Sequence, residues 1–264
     1  MKSTTMKKNY LILILLCFCC FVIHAQKLNI VYIGNSITEG ALLKNPKVEA
    51  PPARASQYLG KHLNNEVNFR NCGVSGMTTV NFLPISEQQF PKVKAAAFQL
   101  TQLKGQLLFS ISLGTNDSAS TTASGAPVLP EQYYTNMKVI IDELLSLYPE
   151  SKVVIQYPIW YSPNTYNGAT YLKAGLQRLE SYFPMIRKLV KHYSNTHPEQ
   201  VFSGSAEAFN FFKDNYQTCF TPEEGNAGTF YLHPNKEGAE ILGKYWGEAI
   251  LKIIKQYNLG TNHL

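Results

Sequence analysis

Residues 28–34 read Leu-Asn-Ile-Val-Tyr-Ile-Gly and run straight into Asn35-Ser36-Ile37-Thr38. A β-branched apolar run of this length, closed by glycine and then by polar turn formers, is what a strand buried on both faces of a parallel sheet requires. Four further runs of the same kind follow at 67–70, 107–113, 152–157 and 201–203, each separated from the next by a helix-length segment. Between Glu131 and Tyr148 the apolar positions Tyr134, Met137, Ile140, Ile141, Leu144, Leu145 and Tyr148 step by three and four, which places them on one helical stripe. Leu242, Tyr245, Trp246, Ala249, Ile250 and Ile253 repeat that spacing behind Asn235, a residue suited to an N-cap. Segments 54–63 and 171–193 are further helix candidates. Strands alternating with helices predict an α/β fold: a three-layer α/β/α sandwich of flavodoxin-like type around a mainly parallel five-stranded sheet, with ligands at the carboxyl ends of the strands.

The 264 residues are 45% hydrophobic and 16% charged, which excludes a disordered chain and a disulfide-stapled miniprotein. Residues 1–25 stand apart: Lys2, Lys7 and Lys8 precede an apolar stretch from Leu11 to Ile23 and a small residue, Ala25. This is the layout of a signal peptide, and the apolar stretch falls short of the about 20 residues a spanning helix needs. The expectation is cleavage after Ala25, export to the periplasm or the medium, and a mature chain without stable membrane insertion. No repeat or linker divides 26–264, which reads as one domain. Losing the three leader lysines brings the net charge from +6 to +3, too little for a partner whose phosphates must be neutralised, so no nucleic-acid partner is expected. Cys17, Cys19 and Cys20 lie in the leader, leaving Cys72 and Cys219 in an oxidising compartment that permits a disulfide.

The chemistry gathers at strand ends: Gly34-Asn35-Ser36-Ile37-Thr38 after the first, Asn71-Cys72-Gly73-Val74-Ser75-Gly76 after the second, Gly114-Thr115-Asn116-Asp117 after the third, and His233-Pro234-Asn235 before the last helix. A serine on a strand-to-helix turn exposes its hydroxyl while its own N–H faces the same spot. A glycine lets a second N–H approach, and an asparagine amide supplies a third donor. Taken singly, Ser36 is a helix cap, Asn116 a turn former and Gly76 a residue at positive φ. Taken together, they are the parts of an oxyanion hole. His192 and His197, five apart with no acid between them on one helical face, do not make a metal site.

In this order the four segments resemble the SGNH hydrolases, also called GDSL-like esterases, over nearly the whole chain from Asn29 onward. The resemblance implies the SGNH form of the α/β/α sandwich, with Ser36 as nucleophile, His233 as general base, and the N–H groups of Ser36 and Gly76 plus the Asn116 amide as oxyanion hole. It implies no cofactor and no metal. The Gly-Asn-Ser-Ile-Thr form is similar to that of carbohydrate and sialate esterases, so the implied activity is removal of a small acyl group, acetyl foremost, from a small-molecule or glycan ester. A lipase, lysophospholipase or thioesterase of the same fold is the alternative, and so is a carbohydrate-binding protein that has lost turnover.

Two positions depart from the family pattern. Asn35 stands where Asp is usual, and an amide can hold the turn by the same backbone bonds. Three residues before His233, where the family has an acid, stands Phe230. Glu223 or Glu224, ten and nine residues upstream of His233, can replace it, or a backbone carbonyl can orient the ring. The carbonyl is the favoured expectation, because Gly225 and Gly228 give the glutamate loop no evident reason to fold back. Segments 118–130 and 162–169 are expected to rim the site, and Trp160 and Tyr161 either stack on a sugar ring or pack within their own loop. Cys72 and Cys219, preceding the Gly76 and His233 loops, are expected to pair across one sheet edge.

Overall fold

A computed structural model describes residues 27–257 of the chain; the leader read at 1–25 lies outside the described residues. The first strand, β1 (Leu28–Gly34), is buried along its full length. It leads through α1 (Ser36–Glu39), α2 (Pro46–Glu49) and α3 (Pro51–Leu63) to β2 (Val67–Gly73). Two 3₁₀ turns, Thr79–Phe82 and Pro84–Ser86, precede α4 (Phe90–Thr101) and β3 (Gln106–Ser112). Then come α5 (Pro130–Leu147), β4 (Lys152–Ile155), α6 (Leu172–Thr196) and β5 (Val201–Ser203). The chain closes with α7 (Glu207–Asp214), α8 (Tyr216–Cys219), β6 (Phe220–Gly225), β7 (Gly228–Pro234) and α9 (Lys236–Gln256).

The first five strands form one sheet in the order β2-β1-β3-β4-β5, with every pair parallel. Its two covered faces can be read from alternation along β1. Tyr32 stacks on Trp246 of α9 with ring centroids 6.1 Å apart and shares a hydrogen bond with Ser56 of α3, so α3 and α9 cover that face. Cys72 and Phe109, which pair in register with Ile33 and Val31, face α4 and the end of α5 on the other side, where α6 joins through stacked Tyr133 and Tyr182. This is the three-layer sandwich that the strand and helix pattern predicts.

Cys72 and Cys219 are free and buried. The expected disulfide does not form, because the sheet separates them. Cys72 Sγ lies 3.9 Å from the Lys92 carbonyl oxygen on the α4 side, whereas Cys219 sits under the N-terminus of α9, its carbonyl accepting from Asn235 N–H at 3.0 Å. Burial pushes the Cys72 thiol up to about 11.

A second, two-stranded sheet escapes the sequence reading. β6 and β7 form an antiparallel hairpin whose turn is Asn226-Ala227. Gly228, at φ +85°, supplies the left-handed conformation there, and Gly225 lies so close to Tyr166 that a Cβ would stand 2.3 Å from its carbonyl oxygen. The two glycines that argued against a folded loop are the ones that make the turn.

Candidate active site

The register brings three strand ends level, with Gly34 opposite both Gly73 and Ser112. Ser36 follows β1 at the first position of α1. Asn35 caps this short helix, its Oδ1 accepting from Ile37 N–H at 3.0 Å, so the amide does hold the turn. The turn is tight: a Cβ on Gly34 would lie 2.0 Å from Thr38 Oγ1. As the first N–H of a helix, that of Ser36 has no intrahelical acceptor.

His233 reaches Ser36 from β7. Its Nε2 is 2.9 Å from Ser36 Oγ, and its Nδ1 is 2.9 and 3.0 Å from the two carboxylate oxygens of Glu223. The same Glu223 carboxylate accepts from the His233 backbone N–H at 3.2 Å, which fixes the acid to the strand that carries the ring. A carboxylate at Nδ1 selects the tautomer with its proton there, leaving Nε2 to accept from the serine hydroxyl. The His233 and Glu223 side chains are 12% and 17% exposed, so the pair works largely out of water. The expectation of a carbonyl partner is therefore corrected. Glu224, one residue on, sits opposite Thr229 and accepts from its hydroxyl at 2.9 Å, away from the ring.

Gly76 and Asn116 line the same cavity as Ser36. Gly76 follows β2 at φ +77°, where a Cβ would meet nothing within 4 Å, so glycine serves the backbone conformation and not a lack of space. Asn116 follows β3 with an amide held at both ends: its Nδ2 donates to Met77 O at 2.9 Å, and its Oδ1 accepts from the Tyr171 hydroxyl at 2.6 Å. These bonds set which way the amide faces and leave its second N–H for a ligand. Burial, then the charges of Asp117 and Glu223, raise the Tyr171 hydroxyl well above its ordinary value, so it remains a proton donor. Tyr171 has no counterpart in the sequence reading; nothing local marks a residue 55 positions from its partner.

Asp117 supports this loop from behind. Its Oδ1 accepts from the backbone N–H and hydroxyl of Thr79, and Asn136 of α5 donates to that hydroxyl at 2.9 Å. Its Oδ2 is buried without a hydrogen-bond partner. Burial outweighs the Thr79 bonds and pushes the carboxyl up to about 6.

Ser36, Gly76, Asn116 and His233 line one open cavity of about 440 Å³, walled by residues 122–124 and 167–169 from the two loops expected to rim it. Trp160 and Tyr161 are not among its walls. Trp160 is buried against Tyr216 and Phe220, and Tyr161 is fully buried with its hydroxyl 2.8 Å from Ser118 Oγ. Their loop holds the hairpin instead: Ser162 N–H donates to Tyr231 O at 2.9 Å, and Ser162 Oγ accepts from Tyr231 N–H at 2.8 Å. Among the described residues, no group of three or more His, Cys, Asp or Glu side chains is placed to hold a metal. What the arrangement can do is activate a serine oxygen in a cavity that also holds the Gly76 backbone and the Asn116 amide.

Residues 32–241 match the model of the GDSL-like Lipase/Acylhydrolase family. No curated protein sequence matches the chain. Among solved structures, a two-domain esterase active on acetylated mannans superposes with a TM-score of 0.56 at 16% identity, over 88% of this chain and 50% of that one. This chain thus spans about half the length of that esterase. A carbohydrate acetylesterase from Sinorhizobium meliloti gives a TM-score of 0.58 at 17% identity, over 86% of this chain and 99% of that one. An aryl esterase from M. smegmatis gives 0.55 at 18% identity, over 86% and 99% respectively. At these identities the superpositions speak for the fold.

Proposed function

The chain belongs to the GDSL-like lipase/acylhydrolase family, and on that premise we propose that it is an exported serine esterase removing a small acyl group, acetyl first, from a carbohydrate. Ser36 Oγ attacks the ester carbonyl carbon as His233 Nε2 takes its proton. Glu223 keeps the ring in the accepting tautomer and stabilises the imidazolium that forms. The carbonyl oxygen, now carrying the negative charge, lies against the N–H groups of Ser36 and Gly76 and the amide of Asn116. His233 then passes its proton to the departing alcohol, leaving acyl-Ser36. Water, deprotonated by the same imidazole, attacks the acyl carbon and restores the serine. No step calls for a cofactor.

The observation that carries this reading is the unbroken relay from Ser36 Oγ through His233 to Glu223 at 2.9 Å per link. The carbohydrate preference is supported by the short residues on the cavity wall, Ala123, Ser124, Gly168 and Ala169 among them, which leave width for a bulky alcohol beside Ser36. Two of the superposed esterases act on acetylated or carbohydrate substrates, which favours the same class here. A lipase would want a long apolar groove at this place. Export rests on the Lys2 to Ala25 leader pattern. Among the described residues no helix is long and apolar enough to cross a membrane.

The test is hydrolysis of acetylated manno-oligosaccharides and of 4-nitrophenyl acetate, butyrate and octanoate by the purified protein and its Ser36→Ala variant. Fast acetate release that falls with chain length and vanishes in the variant supports the proposal. A preference for octanoate favours the lipase reading, and no turnover by the wild type alongside measurable sugar binding favours a binding protein.

A further inference from the structure

An oxyanion donor works only if it is held at a fixed distance from the nucleophile, yet Ser75 and Gly76 lie exposed on the loop after β2. Gly76 has no side chain to pack. The side chain that holds Ser75 is that of Glu39. One oxygen of its carboxylate, Oε2, accepts from Ser75 N–H at 2.8 Å and from the Ser75 hydroxyl. Glu39 is the last residue of α1, and its own N–H is bonded to Asn35 O at 2.9 Å. The four-residue helix that begins with Ser36 therefore ends by gripping the residue next to Gly76.

Other bonds place the two segments side by side. Asn71 donates from Nδ2 to Thr38 O at 2.7 Å and accepts at Oδ1 from Gly73 N–H at 2.9 Å, while Val74 N–H donates to Gly34 O at 3.0 Å. Beyond Gly76 the chain is tied again, Met77 N–H donating to Val74 O at 3.4 Å and Met77 O accepting from Asn116 Nδ2 at 2.9 Å, so the Ser75–Gly76 peptide is the tip of a turn.

We propose that Glu39 is a positioning residue that sets the Gly76 N–H for the oxyanion by clamping Ser75 to the nucleophile helix. The clamp rests on the reading of Ser36 as nucleophile and Gly76 N–H as donor. Bonds to a carboxylate are roughly twice as strong as neutral ones, which suits a tie that must hold an exposed loop. Without it, the Ser75–Gly76 peptide keeps only the long Val74–Met77 turn bond across it, and the Gly76 donor is held less firmly.

The experiment compares Glu39→Ala, Glu39→Gln and Ser75→Ala on 4-nitrophenyl acetate, with Ser36→Ala as control. Full loss of one oxyanion donor lowers kcat about 10²- to 10³-fold, so loosening one predicts a fall of about 10- to 100-fold in Glu39→Ala with KM within about threefold. Glu39→Gln, whose Oε1 can still accept both Ser75 hydrogens, should recover most of it. Ser75→Ala, which keeps the N–H bond, should fall in between. Affinity for methylboronic acid, which forms a tetrahedral adduct on Ser36, should drop by the same factor as kcat/KM, a correlation that lost stability alone would not produce. Wild-type kcat and boronate affinity in a folded Glu39→Ala variant would overturn the clamp, as would a rise in KM alone. Should Glu39→Ala not fold, unchanged kcat in both remaining variants would overturn it. Esterase activity that survives in Ser36→Ala would sink the parent reading instead, so the two failures are distinct.

Discussion

Glu223 stands directly opposite Phe230 across the β6–β7 hairpin, and its carboxylate contacts His233 Nδ1 at 2.9 Å. On the proposed reading of Ser36 and His233, the acid expected three residues before the histidine comes instead from the neighbouring strand. Glu223→Gln should lower kcat by about 10³- to 10⁴-fold with KM nearly unchanged, because an amide can donate where the ring needs an acceptor. Glu224→Gln should stay within about twofold, since that side chain is engaged by Thr229. Steady-state kinetics on the two variants check both statements; equal losses would refute the assignment.

Phe230→Asp, which restores the family's usual residue, should not help. Phe230 is 1% exposed, and an acid there would be buried without an evident partner. Replacing a buried phenylalanine in this way should destabilise by about 3 kcal/mol or more and leave kcat no higher. Thermal melts alongside kinetics read both.

Tyr171→Phe removes only the hydroxyl that fixes the Asn116 amide at 2.6 Å. The fall in kcat should be about tenfold, smaller than the about 10²- to 10³-fold expected for Asn116→Ala, which removes the donor itself. In the double variant the loss should match Asn116→Ala alone, because Tyr171 acts through that amide; full additivity would contradict this.

Asp117 makes stability depend on pH with a definite sign. Its folded carboxyl lies at about 6 against 3.8 for an ordinary aspartate, so between those values the native state holds the proton more tightly than the unfolded chain. This contribution is complete below about pH 4 and is lost as pH rises through about 6, a difference on the order of 3 kcal/mol at 1.36 kcal/mol per unit. Urea unfolding at pH 4 and pH 7 should show that slope in the wild type and its disappearance in Asp117→Asn. A slope unchanged in the variant would refute it.

Both thiols should be countable. Denatured, unreduced protein lacking residues 1–25 should give two thiol equivalents, for Cys72 and Cys219, and a reducing agent should leave the melting temperature unchanged.

Much of this was written locally in the chain. β1 is legible because a strand buried on both faces must be apolar at nearly every position, and Leu28–Ile33 is. Ser36, Gly76 and Asn116 are legible because parallel strands end on one edge, so residues that follow them must meet. The hairpin was not: Pro222, two glutamates and two glycines look like a loop until pairing with β7 satisfies their backbone, and pairing is a property of two segments. The choice between Glu223 and Glu224 turns on a register of one residue, which sends neighbouring side chains to opposite faces and which no composition encodes. Trp160 and Tyr161 show the same limit from the other side. Their aromatic character is plain in the sequence, but whether a ring meets solvent or core depends on what the rest of the chain lays over it, here Tyr216, Phe220 and Ser118. The sequence alone determined the sheet and the residues carried to its edge, because strand periodicity is a short-range property; only the tertiary structure decided which acid serves His233, which hydroxyl aims Asn116 and which cysteines stay apart, because each depends on contacts between segments distant in the chain.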